Sequence, residues 1–400
     1  MKQSLKQNPF RPVYMGAGTR QSVPWSGIPF TVSSRVGTDV NILTAAQTGA
    51  WRRLVAWFAA DPSTMATVTA QPSGMLAPSH WVDTAPQAED EGNREATVED
   101  DDSAFMDEGA SSSASISSSI LQYRVINGRT YHSDRGDATY WASNDDQQNE
   151  SLDILHHLSY LSMDGKLHLA PLKKKSVKSV LDVGTGTGIW AIDFADENPS
   201  SEVMGTDISP IQPSWVPPNL RFEIEDFTKA WSFAENSFDY VHMRYLFGSV
   251  TDWYELFRQS CRVCQPGGWV ESYEGSAMCY SDDGTLKHDS AMAEWGKFFI
   301  EEKGLEAAGF VDITSSTMKI PVGGWPRDEK LKEIGRFAQL TLESDVEGYV
   351  SFMAGLLEGW TQQQILMYCA QFRRELKARK THGYYLQRVV YARKPETSTA

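Results

Sequence analysis

Three glycines alternate with threonines in Val180-Leu181-Asp182-Val183-Gly184-Thr185-Gly186-Thr187-Gly188-Ile189-Trp190. Glycine is needed where a backbone must take φ > 0 or let a ligand approach closely. The β-branched run before them predicts a strand, and the apolar pattern at Ile189, Trp190, Ile192 and Phe194 predicts a helix. A helix start offers free N–H groups and the positive end of a dipole. The spacing separates two ligand classes. A dinucleotide loop has G-x-G-x-x-G; here the third glycine comes one residue early and Ile189 fills the dinucleotide position. Asp207 closes Val203-Met204-Gly205-Thr206-Asp207, 19 residues after Gly188, where a ribose-binding carboxylate belongs. Loop and acid together fit S-adenosylmethionine (SAM), a nucleoside without phosphates. A tight turn without a ligand is the bland alternative.

Other candidates also fall at strand ends. The Asp207 carboxylate can accept two hydrogen bonds from a diol, or cap a helix. Glu225-Asp226-Phe227 follows the third strand. An acid there can accept from an adenine amino group and an aromatic ring can cover the base; a solvated loop is the alternative. The expected cofactor-binding set is Asp182, Gly184, Thr185, Gly186, Gly188, Asp207, Ile208, Glu225, Asp226, Phe227, His242 and Tyr131. His242 and Arg244 end the fourth strand, where a methyl donor would meet its acceptor, and are the catalytic candidates. His242 could touch the cofactor or act as a base; Arg244 could orient an acidic substrate. A hydrogen-bonded structural histidine and an ion pair with a helix are their alternatives. Asp239, opening the same strand, suits a turn.

Tyr131, Tyr140 and Trp141 precede the sheet and are costly to expose together. Residues 131–161 could therefore fold over the cofactor as a lid, with aromatic faces toward a sulfonium cation. Plain packing on the sheet edge is the alternative. His156-His157 reads as one buried and one exposed residue, with no third ligand at metal spacing. Cys261 and Cys264 read as core thiols one helical turn apart. Lys173-Lys174-Lys175 reads as a solvated loop rather than a nuclear address.

The elements around these residues alternate. Strands are expected at 177–183, 202–207, 220–225, 238–243 and 268–274, and helices at 151–163, 187–198 and 251–264. Such alternation predicts a doubly wound parallel sheet with helices on both faces. Downstream, helices are expected at 290–303, 329–342 and 345–357, and another opened by the capping box Thr361-x-x-Gln364. Strands at 310–320 and 382–393 complete the chain.

Composition bounds the rest. The 400 residues carry a formal net charge of −15, which argues against non-specific nucleic-acid binding. No stretch reaches the roughly 18 apolar residues of a membrane span, and the polar start lacks the apolar core of a secretory signal. Four cysteines are too few and scattered for a disulfide framework, which points to cytoplasm or nucleus. Residues 1–119 hold an acidic cluster and a serine tract, and are expected to be disordered apart from a transient helix at 51–60. The folded domain is expected at 120–395.

Further motifs carry a resemblance: Asn127-Gly128-Arg129-Thr130-Tyr131-His132, Gly165-Lys166-Leu167-His168-Leu169-Ala170-Pro171-Leu172, Asp207-Ile208-Ser209-Pro210-Ile211-Gln212-Pro213, Trp215-Val216-Pro217-Pro218-Asn219, and His242-Met243-Arg244 with Gly248-Ser249-Val250. With the glycine loop, they make the chain from about Tyr123 to Pro395 resemble the fungal LaeA-like methyltransferases of the class I SAM-dependent superfamily. The resemblance implies a Rossmann-like seven-stranded sheet with an antiparallel last strand. It also implies SAM at Gly184, Gly186, Asp207 and Asp226, and a role in fungal secondary metabolism. Two activities are compatible with it: methylation of a small-molecule intermediate, or nuclear regulation in a complex with velvet-type proteins. A hydrophobic cavity under the helices of 326–378 would suit the enzyme; a long acidic N-terminal region suits partner binding. One departure is a shortened segment between Trp295 and Phe310, which bears on the substrate wall and sheet edge.

Overall fold

The computed structural model describes residues 75–83, 121–133, 140–173, 176–250, 252–295, 310–356 and 359–396. Ser179–Val183 (β3) buries Val180, Leu181, Asp182 and Val183, as a strand covered on both faces requires. It pairs in parallel with Glu202–Asp207 (β4) on one side and Phe238–Arg244 (β6) on the other. Leu220–Ile224 (β5) extends the sheet beyond β4, and Cys264–Gly275 (β7) beyond β6, both in parallel. Tyr384–Arg393 (β9) inserts antiparallel between β7 and Val311–Pro321 (β8). The seven-stranded order is β5-β4-β3-β6-β7-β9-β8. From β3 the chain winds outward through β4 and β5, then returns to β6. In an open α/β sheet the ligand crevice lies at the carboxyl ends beside this reversal.

Helices cover both faces. Ile189–Glu197 (α3) sets Trp190 and Phe194 against Val180 and Tyr240. Trp253–Val263 (α4) sets Leu256 and Val263 against Leu181, Val183 and Val241. Successive β3 side chains point to opposite faces, so one strand serves both cores. Asp239 ties the sheet floor together: its Oδ2 accepts from the N–H groups of Lys178 and Ser179 at 2.6 and 3.0 Å. Cys264 opens β7 instead of ending the helix as the spacing predicted, since α4 stops at Val263.

A helical layer lies beyond β7 and β8. Asp146–Ser162 (α2) is capped by Asp145, which accepts from the Gln148 N–H. Glu329–Ser344 (α6), Val346–Leu356 (α7) and Gln362–Ala378 (α8) follow β8, and the capping box at Thr361 and Gln364 forms as its sequence predicted. Of the helix expected at 290–303, the described residues show Ala291–Glu294 (α5); the shortened 295–310 segment lies mostly outside them. Outside them too lie the acidic cluster, the serine tract, residues 51–60, and Lys174 and Lys175.

Two features depart from the sequence reading. Pro78–Asp83 (α1) falls within residues 1–119, yet its Trp81 is 1% exposed and meets Tyr368 of α8 edge-on at 5.0 Å. The Leu76 N–H also donates to Glu294 at 2.6 Å. A segment poor in apolar residues overall can still supply one ring that fills a gap in the core. The second is a hairpin, Arg124–Ile126 (β1) with Arg129–Tyr131 (β2), turned by Asn127 (φ 52°) and Gly128 (φ 79°). Asn-Gly suits a two-residue turn with two positive φ angles. Arg129 donates to both carboxylate oxygens of Asp345 at 2.7 and 2.8 Å and also pairs with Asp145, tying the hairpin to the start of α2 and the α6–α7 junction.

Candidate active site

The carboxyl ends of β3, β4 and β6 open into a cleft of about 900 Å³, counted out to its mouth. Asp182, Gly184, Thr185, Gly186, Asp207, Ile208, Asp226, Phe227, His242 and Arg244 all line it. Gly184 and Gly186 adopt φ of 66° and 59°. A Cβ on Gly184 would lie 2.5 Å from Leu246 Cδ2, so a larger residue there would have to displace that side chain. Gly188 does not line the cleft. It starts α3 at φ 80°, and a Cβ there would lie 2.4 Å from the Phe222 ring. Its glycine is required by packing and backbone.

Asp207 ends β4 with its carboxylate turned to the glycine loop. One oxygen accepts from the Gly186 N–H at 2.8 Å, the other from the Ser209 N–H at 2.9 Å. Burial pushes the carboxyl up to about 6; the Ser209 and Gly186 bonds oppose this and the Asp182 charge adds to it. Each oxygen keeps acceptor capacity for a diol. Gln212, absent from the expected set, donates from Nε2 to the Gly186 carbonyl at 2.7 Å and so clamps the loop. Asp226 accepts from the N–H and hydroxyl of Thr228, at 2.9 and 2.6 Å. Glu225 does not line the cleft; it accepts from the Ser232 N–H at 3.0 Å and shapes the following turn.

At the floor of the cleft, the Asp182 carboxylate accepts from Thr185 Oγ1 at 2.6 Å and from His242 Nδ1 at 2.7 Å. The His242 ring stacks on Trp190, with centroids 3.6 Å apart and planes 6° from parallel. Burial lowers the His242 pKa against the opposing pull of Asp182. A neutral imidazole donating from Nδ1 leaves Nε2 with a free lone pair. Arg244 reaches back to α2, where its Nη2 lies 3.1 Å from His156 Nδ1; His156 Nε2 is 2.9 Å from Asp193. The arginine can only donate, so His156 Nδ1 accepts and Nε2 carries the proton. His157 instead meets the Phe337 ring edge-on at 4.6 Å.

Of the aromatic residues before the sheet, Tyr140 lines the cleft; burial and the nearby Asp207 charge push its phenol pKa up. Tyr131, the expected lid residue, is fully buried against Phe352 of α7, 5.7 Å away, and does not line the cleft. The hairpin turn carries it under the helical layer, a placement that local sequence does not specify. Trp141 is buried too, its Nε1–H donating to the Phe247 carbonyl at 3.2 Å.

Tyr140, Leu152, Leu155 and Tyr245 are shared with a second cavity of about 810 Å³. Its further walls include Trp141, Phe247, Trp295, Tyr349 and Tyr385, with Ala338, Thr341 and Leu342 of α6. No Asp, Glu, Lys or Arg side chain lines it among the described residues. Tyr245 stands between the spaces at φ 56°, a strained conformation for a bulky residue. Its hydroxyl bonds Ser159 at 2.8 Å and accepts from Gln387 at 2.6 Å, which holds the ring in place.

The strand order, the glycine loop at the switch point and the carboxylate ending β4 define a class I SAM-dependent methyltransferase. A family model described as a methyltransferase domain matches residues 154–312. Methyltransferase pytC of Aspergillus terreus is 37% identical over 301 residues, covering 71% of this chain and 92% of that protein. The secondary metabolism regulator LAE1 of Cochliobolus heterostrophus is 34% identical over 290 residues, covering 68% of this chain and 94% of that one. The probable methyltransferase tdiE of Emericella nidulans is 33% identical over 270 residues, covering 62% and 83% respectively. The chain belongs to the fungal LaeA-like methyltransferase family of secondary metabolism.

Proposed function

We propose that the chain methylates an apolar, largely aromatic small molecule held in the second cavity. The observation that carries this is the shared wall of Tyr140, Leu152, Leu155 and Tyr245, which joins that uncharged cavity to the SAM cleft. SAM brings an activated methyl group; the protein has to hold donor and acceptor in line and keep water out. Gly184, Gly186, Asp207, Asp226 and Phe227 suit cofactor binding, while Trp141, Phe247, Trp295 and Tyr385 suit an aromatic acceptor. The test is label transfer from methyl-labelled SAM into organic-soluble compounds of a fungal culture extract. Ala277→Trp, which fills the cavity, should abolish transfer and leave SAM affinity unchanged. Full transfer by that variant would show that the acceptor sits elsewhere.

The likeness to LAE1, a secondary metabolism regulator, supports a second reading, a regulatory role, in which the chain would act in the nucleus with velvet-type proteins. It is tested by co-purification of such partners from fungal nuclei. Partner capture that survives Ala277→Trp, with no labelled small molecule formed by the unaltered chain, would favour this reading over the first.

A further inference from the structure

Gln148 lies in the first turn of α2 and lines the apolar cavity. It is wholly buried, and among the described residues neither its amide nitrogen nor its amide oxygen makes a hydrogen bond of ordinary geometry. Three other polar groups of the wall are already engaged. The Tyr349 hydroxyl bonds Ser151 at 2.9 Å, Thr341 donates to the Phe337 carbonyl at 3.0 Å, and Ser276 accepts from the Met278 N–H at 3.2 Å. Gln148 lies close enough to Tyr349 to act on its hydroxyl, yet no bond of ordinary geometry forms between them. An unpaired buried amide is expensive, and leaving both of its halves unmade is rarely tolerated without a purpose.

We propose that Gln148 is the residue that recognises the methyl acceptor, and that the acceptor presents to it a neutral donor and acceptor side by side, as a lactam or amide does. The inference rests on the cavity being the acceptor site. A carboxamide offers N–H donors beside a carbonyl acceptor, and its complement is a group of the same kind turned around. A carboxylate fits poorly, since no cationic residue among the described ones lines the cavity to offset its desolvation. A lone phenol or ketone would satisfy only half of the amide. A site built to hydrogen-bond a ligand also rejects analogues that lack the group, because its own polar atoms are then stranded.

The test uses the full chain with S-adenosylhomocysteine bound and two probes of one shape, 2-quinolinone and naphthalene, in a ligand-detected NMR titration. The unaltered chain should prefer the lactam by about tenfold or more. Gln148→Met should erase that preference, bind naphthalene at least as well as the unaltered chain, and leave SAM affinity unchanged. Its ligand-free Tm should hold or rise, because an unmatched buried amide has been removed. A Tm lowered by several degrees would show that Gln148 serves the fold, and would overturn the proposal. So would an unaltered chain that binds both probes equally, a result that needs no variant to fold. If neither probe binds, the reading of the cavity as a small-molecule site fails, and this inference with it.

Discussion

His242 donates from Nδ1 to Asp182 at 2.7 Å, across positions that face each other in the β3–β6 register. Because the same carboxylate accepts from Thr185, one buried acid joins the glycine loop to the strand that carries the histidine. Asp182 acts on the cleft by holding its parts in position.

Removing that acid should therefore loosen two elements at once. Asp182→Ala should cost about 3 kcal/mol of stability, since hydrogen bonds to a charged group contribute roughly 1.5–3 kcal/mol each. His242→Ala alone should cost less, and the double variant should fall short of the sum by about 1 kcal/mol or more, as for other residues in direct contact. Urea unfolding of the four proteins measures this. Strict additivity would mean that the pair contributes nothing as a pair.

SAM binding should weaken on acidification. The Asp207 carboxyl sits near 6 because it is buried, and only the ionised form accepts two hydrogen bonds from the ribose diol. Calorimetric affinity should fall as pH drops from 7 to 5, by about tenfold per unit below the pKa, and Asp207→Asn should flatten the profile. The stability of the empty chain moves the other way. A carboxyl raised above its ordinary 3.8 makes the folded state hold its proton more tightly than the unfolded state. The cost of the buried charge is present in full above pH 6 and falls progressively as pH drops from 6 toward 3.8, so any gain in Tm from Asp207→Asn should shrink over that range.

Gly184→Ala and Gly186→Ala should separate steric from conformational cost. Both positions have positive φ, which strains a residue with a Cβ by about 1 kcal/mol or more. At Gly184 the new Cβ also meets Leu246 at 2.5 Å, whereas at Gly186 its nearest neighbour, Leu152, is 3.7 Å away. Gly184→Ala should be the more damaging to Tm and SAM affinity, and adding Leu246→Ala should restore part of the affinity. No recovery would place the damage in the backbone alone.

Trp81 makes the region before residue 120 matter to the core. Trp81→Ala should destabilise by about 3–5 kcal/mol, the usual loss for a buried large aromatic. A chain starting at residue 120 should melt several degrees lower than one starting at residue 74, with SAM affinity nearly equal in the folded state. Equal melting temperatures would show that the contact with Tyr368 contributes little.

The sequence by itself determined the sheet half of this protein. The strand at 202–207 and the glycine loop were readable because alternation, β-branching and glycine spacing are local consequences of backbone geometry. Asp207 was readable for the same reason, since a strand end at a fixed distance from the loop puts a carboxylate beside it. What only the tertiary structure decided depends on which residues meet across long separations. Tyr131 and Tyr140 are chemically alike and close in sequence. The hairpin turns one under Phe352, and the other lines the cleft near Asp207. Asp182 lines the cleft, and only the β3–β6 register decides that His242 is its partner. Gln148 gave no signal, since it precedes the helix expected at 151–163 and joins it only in the structure. Its meaning comes from helices nearly two hundred residues later, which close an apolar space around an amide that makes no hydrogen bond of ordinary geometry among the described residues.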